Sequence, residues 1–306
     1  MEHRMYDMII VGGGPGGYTA ALYAARAGLS ALVLEKLSTG GQMAQTHQID
    51  NYPGFPEGID GFELADRMQE QAHRFGVETE YADVLKLDLQ ANPKVIETSE
   101  GIFLGRTVVY AAGAGPKVLG LPNEAALVGR GVAYCAACDG MFYKDKTVAV
   151  VGGGNSAAAD ALLLSRIARK VILIHRRDNL RATKVYHAPL MAAENVEFCW
   201  NSTVEEILAE GKVKGLRLRD VHSGQLSEVE VDGLFVSVGR APATALVEGQ
   251  LALDGNGYIL ADESTKTSIP GVYAVGDVRT KQLRQIVTAV ADGALAVHAA
   301  EEFLAQ

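Results

Sequence analysis

The sequence is poor in cysteine and in positive charge. Three cysteines among 306 residues exclude a scaffold of several disulfides. Asp and Glu outnumber Lys and Arg by 37 to 28, and the net charge of -9 argues against nucleic-acid binding, which needs a basic face. No apolar run reaches the roughly 20 residues that span a bilayer, and residues 1–5 lack a secretory signal pattern. We therefore expect a cytoplasmic protein without a nucleic-acid or membrane partner.

Near its start the chain carries a complete dinucleotide fingerprint. A short apolar strand, Met8 to Val11, runs into Gly12-x-Gly14-x-x-Gly17, and an alanine-rich helix follows up to a capping glycine, Gly28. A second strand, residues 31–34, ends in Glu35, which stands 35 - 14 = 21 positions after Gly14. The glycines let the backbone approach a pyrophosphate at the helix N-terminus, and the acid bonds ribose hydroxyls. We interpret this stretch as a nucleotide site.

The fingerprint repeats 152 - 12 = 140 residues later. Strand 147–151, the turn Gly152-x-Gly154-x-x-Ala157, a helix and strand 170–174 follow the same order. This copy ends in His175-Arg176-Arg177, with Arg181 close behind, where the first copy has its acid. Arginine binds phosphate bidentately and an acid repels it, so we expect NADP rather than NAD here. The alternative is a solvated basic turn.

Between the two copies lies Cys135-Ala-Ala-Cys138, followed at once by Asp139. In a chain without an export signal, such a pair beside a nucleotide-binding βαβ unit indicates redox activity. Structural zinc needs four ligands, and Cys199 is isolated about sixty residues away, so a zinc site is disfavoured. We interpret Cys199 as a buried structural thiol. Asp139 is the nearest group to manage protons, although a helix cap or turn is an alternative.

The remaining glycine- and proline-containing segments predict two linkers, and the C-terminal segment predicts a flavin site. Gly113-Ala-Gly-Pro116 and Gly239-Arg-Ala-Pro242 place linkers near 114–118 and 239–244. In the tail, strand 271–275 runs into Gly276-Asp277 and then a helix that extends to about Leu304. An acid at such a strand end can bond the ribitol hydroxyls of a flavin, and the helix N-terminus favours negative charge near the ring.

Taken together, these motifs resemble the low-molecular-weight NADPH-dependent thioredoxin reductases. These motifs follow one another in the same order as in that family, over residues 6–304. They are the two glycine turns, Gly40-Gly-Gln42, the Cys135–Gly140 motif, residues 175–177, Gly276-Asp277 and Arg284-Gln285. A small departure is Ala112, where many members have threonine. The resemblance implies an α/β fold with two Rossmann-like dinucleotide-binding domains, the second inserted in the first. It also implies FAD, NADPH and a homodimer.

The resemblance assigns the domains and the site residues. FAD would be bound by residues 1–113 and 244–306, and NADPH by 117–241, which also carry the redox-active disulfide. The implied catalytic residues are Cys135, Cys138 and Asp139, with Cys138 facing the flavin and Cys135 attacking the partner. The implied FAD residues are Gly12, Gly14, Pro15, Gly17, Glu35, Lys36, Gly41, Gln42, Asn51, Val84, Ala112, Gly113, Gly276, Asp277, Arg284, Gln285 and Ile286. The implied NADPH residues are Gly152, Gly154, Asn155, Ser156, His175, Arg176, Arg177, Arg181 and Gly239.

The expected activity is electron transfer from NADPH through FAD and the Cys135–Cys138 disulfide to oxidised thioredoxin, with rotation between the domains. Two other functions stay open at this point. One is a flavin-dependent dithiol oxidase, against which the intact NADP fingerprint speaks. The other is a redox sensor without enzymatic activity. Arg130, Met141 and Phe142 are possible partner contacts, although Met141 and Phe142 could equally pack in the core.

Overall fold

Parallel strands form the centre of two separate units of the chain. The computed structural model describes residues 4–46, 49 and 51–306, with the side chains of all of these except Gln45, Ala137 and Cys138. Unit 1 comprises Met1–Gly115 and Ala241–Gln306, and unit 2 comprises Pro116–Arg240. The chain thus passes between the units twice, inside the regions 114–118 and 239–244. No helix in the described ranges is long and apolar enough to cross a membrane.

In the described part of unit 1, a seven-stranded sheet has the order β3-β2-β1-β6-β5-β4, with β17 also paired to β6. β1, β2, β3, β6 and β17 run parallel, whereas β5 and β4 continue the sheet in antiparallel fashion. The strands are β1 Arg4–Val11, β2 Ala31–Glu35, β3 Glu78–Tyr81, β4 Val84–Asp88, β5 Lys94–Thr98, β6 Gly101–Tyr110 and β17 Val272–Ala274. The helices are α1 Pro15–Arg26, α2 Gly61–His73 and α6 Ile286–Leu304.

Unit 2 repeats the parallel core and adds a small antiparallel sheet. Among the described residues its five parallel strands have the order β11-β10-β9-β15-β8, and β12-β13-β14 pair antiparallel. The strands are β8 Val132–Ala133, β9 Thr147–Val151, β10 Lys170–Ile174, β11 Val196–Cys199, β12 Ser202–Glu210, β13 Lys212–Asp220, β14 Leu226–Glu230 and β15 Gly233–Val236. The helices are α3 Ala136–Asp139, α4 Asn155–Ser165 and α5 His187–Ala192. The short strands β7 Ala114–Pro116 and β16 Arg240–Pro242, in the crossing segments, pair with each other.

Continuous apolar runs explain the central strands. Met8, Ile9 and Ile10 of β1 are fully buried, as is most of β9, because helices or loops cover both faces of a parallel sheet. α1 begins at Pro15, a residue suited to the first helical turn, and the chain after it turns at Gly28 with φ 79°. The predicted cap at Gly28 is therefore confirmed.

The predicted fold class is confirmed: two α/β dinucleotide-binding folds occur in one chain. Strands 8–11, 147–151 and 170–174 are found at or within a few residues of their predicted bounds. The sequence reading missed β12 and β14, whose outward residues are mostly charged and therefore lack the apolar runs of the core strands. Among its described residues, the irregular segment 38–61 contains a 3₁₀ turn, Met43–Gln45, an isolated β-bridge between Ile49 and Ile59, and the first residue of α2, Gly61.

Candidate functional site: two glycine turns and a cysteine motif

The first glycine turn opens the N-terminus of α1. Gly14 caps the helix without any side-chain hydrogen bond, and the space around its Cβ position is empty to 4 Å. A Cβ on Gly17 would overlap the carbonyl oxygen of Gly12, so helix and turn are in direct contact. The first amides of the helix lack intrahelical partners and face this open space. An anion such as a pyrophosphate fits there.

Glu35 lies directly over this turn. Its Oε2 accepts a hydrogen bond of 2.7 Å from the Gly13 N–H, and its Oε1 accepts one of 2.8 Å from the Lys36 N–H. A Cβ on Gly13 would lie 2.9 Å from Oε2, so only glycine permits this approach. The carboxylate is thereby fixed at the end of β2 with acceptor capacity left for ribose hydroxyls.

Two more predicted segments converge on the same edge of the unit 1 sheet. The Gly40 N–H donates to the Gly13 carbonyl at 2.8 Å, which brings the Gly41 and Gln42 loop beside the turn. On the other side, a Cβ on Gly16 would lie 3.0 Å from the Ala289 carbonyl oxygen, so α1 begins against the first turns of α6. The carboxyl ends of β1, β2, β6 and β17 meet here, where open α/β sheets bind ligands.

The remaining predicted FAD residues are distributed around this edge. Asn51 Nδ2 donates to Gln285 Oε1 at 2.8 Å, which ties the 51-loop to the start of α6 at Ile286. Arg284 lies over the Tyr258 ring at 4.0 Å and donates from Nε to the Asp277 carbonyl at 3.3 Å. The remaining ones are Ala112 and Val84, half-buried against the unit 1 core, Gly113 with φ 70°, and Lys36, whose ammonium pairs with Asp83 at 2.8 Å.

A buried ion cluster that the sequence did not reveal holds the Gly276 turn. Asp292 of α6 accepts from the Gly276 N–H at 2.8 Å, from Arg279 at 2.8 and 3.0 Å, and from Lys281 at 2.7 Å. All three charged side chains are at most 7% exposed. Burial would raise the pKa of the Asp292 carboxyl, but hydrogen bonds from Arg279 and Lys281 outweigh it and lower that pKa. The negative charge of Asp277 also acts on Lys281.

The second glycine turn forms one wall of a cavity of about 670 Å³ within unit 2. Gly154 caps α4 without a side-chain bond, and its Cβ position is open to 4 Å, as at Gly14. Asn155 Oδ1 accepts from the Thr183 N–H at 2.8 Å and so holds the segment after the arginines. The predicted residues that line the cavity are Gly152, Gly154, Asn155, Ser156, His175, Arg176, Arg181 and Gly239. Arg177 is not part of that lining.

His175 takes the place over Gly153 that Glu35 takes over Gly13. A Cβ on Gly153 would overlap the imidazole ring, which is 5% exposed. Burial, and then the charges of Arg181, Arg177 and Arg176, lower the pKa of His175. The ring is therefore neutral, and its Nε2 has no hydrogen-bond partner among the described residues. No carboxylate of the described residues forms an ion pair with the three exposed arginines. Cations without such a partner beside an open helix N-terminus fit a dinucleotide that carries an extra phosphate.

The cysteine motif is built on a short β-strand and one helical turn. β8 leads to Cys135, which is disulfide-bonded, and the Asp139 N–H donates to the Cys135 carbonyl at 3.1 Å across α3. A Cβ on Gly140 would lie 3.3 Å from Leu164, so the end of the motif packs on α4. The side chain of Cys138 lies outside the described residues. Asp139 makes no side-chain cap bond to the 3₁₀ turn that follows it, which disfavours the cap alternative.

Two further interpretations of the sequence have structural outcomes. Met141 and Phe142 are 65% and 71% exposed, so the alternative that they pack in the core is wrong. Cys199 is a free thiol on β11, as expected, but it is half-buried rather than buried. Its Sγ donates to Ser202 Oγ at 3.3 Å.

Both dinucleotide sites pass a simple test of fit. Each offers an uncapped helix N-terminus with empty space at its glycine, and each has a side chain suited to one kind of nucleotide. The carboxylate of Glu35 suits free ribose hydroxyls, and the cationic edge of the unit 2 cavity suits a 2′-phosphate. The class of protein that this arrangement defines is an oxidoreductase with two dinucleotides and a redox-active disulfide.

Comparison with known proteins places the chain within that class. Residues 6–293 match the family described as pyridine nucleotide-disulphide oxidoreductase. The thioredoxin reductase of Streptomyces coelicolor is 45% identical over 98% of this chain and 94% of its own length. That of Bacillus subtilis is 44% identical over 99% and 96%. A crystal structure of Lactococcus lactis thioredoxin reductase in the FR conformation superposes with a TM-score of 0.87, at 40% identity over 98% and 99% of the two chains. The chain belongs to the pyridine nucleotide-disulphide oxidoreductase family and, within it, to the thioredoxin reductases.

Proposed function

We propose that the chain is a flavoenzyme that reduces oxidised thioredoxin with electrons from NADPH, by way of FAD and the Cys135–Cys138 disulfide. The observation that carries the proposal is the pair of glycine turns with opposite partners, Glu35 in unit 1 and His175 with its arginines in unit 2, in a chain whose Cys135 is disulfide-bonded. Members of the same family at 44–45% identity over nearly their full lengths support it. The intact NADP cavity disfavours the dithiol oxidase.

The protein's own residues would bind, orient and handle protons. When bound, the two cofactors would supply a hydride from NADPH to the flavin and an electron pair from the flavin to the disulfide. That pair breaks the S–S bond, and two protons complete the dithiol. The Cys135 thiolate then attacks a thioredoxin disulfide, and the Cys138 thiolate releases the mixed disulfide, so that thioredoxin leaves as the dithiol. Asp139, next to Cys138 in the chain, is the proposed group that manages these protons.

We also propose that unit 2 rotates about the segments 114–118 and 239–244. FAD would belong to unit 1, while NADPH and the disulfide would both belong to unit 2, so each needs its own access to one flavin. Short crossing segments with glycine and proline suit a hinge. A verified covalent cross-link between the units should permit one half-reaction and stop turnover; full turnover in that sample would contradict the rotation.

The thioredoxin-binding surface is proposed to include Arg130, Met141 and Phe142. Met141 and Phe142 form an exposed apolar pair directly after the cysteine motif, and Arg130 adds an exposed cation before it. Serine at positions 141 and 142 should raise the KM for thioredoxin and leave the KM for NADPH unchanged. Equal KM values for thioredoxin before and after the change would remove these residues from the surface.

A homodimer and a cytoplasmic location complete the proposal. Helices α2 and α6 both pack on α1, and the three helices carry exposed apolar side chains, among them Tyr23 at 50%, Phe62 at 61% and Leu295 at 44%. Apolar surface of this kind is typical of interfaces between copies of a chain. The mass of the holoprotein in solution tests this, and a monomer at all concentrations would contradict it.

The decisive test of the activity is a purified, yellow holoprotein assayed with NADPH against a panel of thioredoxin-like proteins. Rapid NADPH-dependent reduction of at least one thioredoxin is expected, with much slower reaction from NADH. A colourless protein that binds no FAD, or a protein that reduces no thioredoxin, would refute the proposal. NADP binding without turnover would favour the redox sensor.

A further inference from the structure

Glu124 is a buried carboxylate with four hydrogen-bond donors. It is 3% exposed and lies in the loop between the first crossing segment and the cysteine motif. Its Oε1 accepts from the Leu119 N–H at 2.9 Å and from the Tyr134 hydroxyl at 2.8 Å. Its Oε2 accepts from the N–H groups of Gly120 and Leu121 at 2.8 and 3.2 Å. A buried carboxylate that accepts hydrogen bonds in this way holds all of its donors close together.

These donors come from two places that the proposed reaction uses. Leu119 lines the nucleotide cavity, together with Val118. Tyr134 immediately precedes Cys135 and follows the short strand β8. Glu124 therefore connects a wall of the nucleotide cavity to the first residue of the redox motif, entirely within unit 2.

We propose that Glu124 is a positioning residue for the redox motif, which holds the backbone before Cys135 in place through the Tyr134 hydroxyl. This inference rests on the proposed function of the cysteine pair, and it adds residues that none of the sequence motifs contains. Because the Cys135 carbonyl accepts the Asp139 N–H, the backbone at Cys135 also sets the start of the α3 turn. A shift at Tyr134 would therefore displace the whole motif relative to an attacking geometry that is sensitive to small errors.

The hydrogen bond from Tyr134 to Glu124, called the tether below, persists over the pH range in which thiols react. Burial, together with the hydrogen bond to Glu124, raises the pKa of the Tyr134 phenol well above its ordinary value. The hydroxyl thus remains a donor at neutral and mildly alkaline pH. Its proton is committed to Glu124, so Tyr134 acts by position and not as an acid toward the cysteines.

The test removes only the Tyr134 hydroxyl, with Tyr134→Phe in the holoprotein. The matched control is Tyr6→Phe, which removes a hydrogen bond of the same kind, Tyr6 to Glu78 at 3.0 Å, from unit 1. In Tyr134→Phe we expect kcat/KM for oxidised thioredoxin to fall about tenfold, the size expected for one hydrogen bond to a charged group. Reduction of the flavin by NADPH should stay at the wild-type rate, and Tyr6→Phe should change neither.

A second readout does not depend on thioredoxin. Alkylation of Cys135 by iodoacetamide in the dithiol-reduced protein, located by mass spectrometry, should be faster in Tyr134→Phe because the loosened motif is more accessible. Faster alkylation with slower thioredoxin reduction is the signature of lost positioning. Wild-type values for both readouts would overturn the proposal. If the wild-type protein reduced no thioredoxin, the proposed function would fail while the alkylation comparison still decided the tether.

A double-mutant cycle then tests whether Glu124 and Tyr134 act through one interaction. Glu124→Gln replaces one acceptor oxygen by an amide and should lose at least as much kcat/KM as Tyr134→Phe. The double variant should be no worse than Glu124→Gln, since Glu124→Gln alone already removes the charge-assisted bond from the hydroxyl. Fully additive losses would contradict the tether, and if Glu124→Gln did not fold, Tyr134→Phe would decide alone.

Discussion

Glu35 and His175 occupy the same place in two copies of one fold. Glu35 is the last residue of β2 and His175 directly follows β10, and each lies over the middle glycine of its turn, Gly13 or Gly153. In unit 1 that place holds a carboxylate bound to the turn's backbone. In unit 2 it holds a neutral ring, with cations exposed around it. One fold thus offers two dinucleotide sites whose selectivity depends on the side chains at a single edge.

The units also differ in how deeply their ion pairs are buried. Unit 1 buries Arg279, Lys281 and Asp292 together against the Gly276 turn. The ion pairs of unit 2, within the described residues, lie on side chains that are at least 36% exposed. Buried pairs hold a turn in place, whereas unpaired surface arginines remain available to a ligand. Removing a charge should therefore loosen the turn in unit 1, whereas in unit 2 it should weaken ligand binding.

The largest effect is expected at Asp292. Asp292→Asn leaves two buried cations without their anion, which should lower the free energy of unfolding by about 3–5 kcal/mol and weaken FAD binding. Urea unfolding of the holoprotein measures it. The control is Glu302→Gln, at an exposed pair with Lys266, which should change little. A loss at Asp292 no greater than that of the control would mean that the cluster does not hold the turn.

Arg176 and Arg181 come next. Their joint replacement by alanine should reduce the preference for NADPH over NADH by about a hundredfold, because each removes a charge-assisted bond to the extra phosphate. Steady-state kinetics with both nucleotides measure the ratio. Arg177→Ala is the control, since Arg177 lies outside the cavity lining and should matter less. Equal losses with NADPH and NADH would remove the 2′-phosphate argument.

Glu35→Gln should have a smaller effect, which is limited to FAD binding in unit 1. The amide keeps one acceptor for Gly13 but loses the charge that favours ribose hydroxyls, so the Kd of the apoprotein for FAD should rise about tenfold. Fluorescence titration with FAD measures this, and the Kd for NADP⁺ is the internal control. A rise in the NADP⁺ value alone would reverse the assignment of the two sites.

The smallest effect is a pH dependence from His175. Its pKa is lowered in the folded protein, so the unfolded chain binds a proton first as the pH falls below about 6.5. The stability that His175 contributes is therefore complete above that pH and declines below it, until the folded pKa is reached. Urea midpoints from pH 7 to 5 should fall less steeply in His175→Gln than in the wild type. A steeper fall in the variant would contradict the sign.

The sequence was sufficient for the local patterns and insufficient for contacts across space. Glycine spacing, buried strands and the substitution of His175 for an acid are all readable along the chain, and they located both turns. Asp292 gave no signal in the sequence of a largely apolar helix, because its partners Arg279 and Lys281 precede that helix. Glu124 belongs to none of the sequence motifs, and its link to Tyr134 appears only when β8 takes its place in the sheet.

The most direct test of the whole account is an anaerobic single-turnover measurement on the wild type and on Cys138→Ser, each mixed with NADPH and then with oxidised thioredoxin. In the wild type, the flavin should be reduced by NADPH and the electrons should appear as thioredoxin thiols. In Cys138→Ser, flavin reduction should proceed at an unchanged rate and no thioredoxin should be reduced. Thioredoxin reduction by Cys138→Ser at the wild-type rate, or the absence of flavin reduction in either protein, would contradict the proposed electron path.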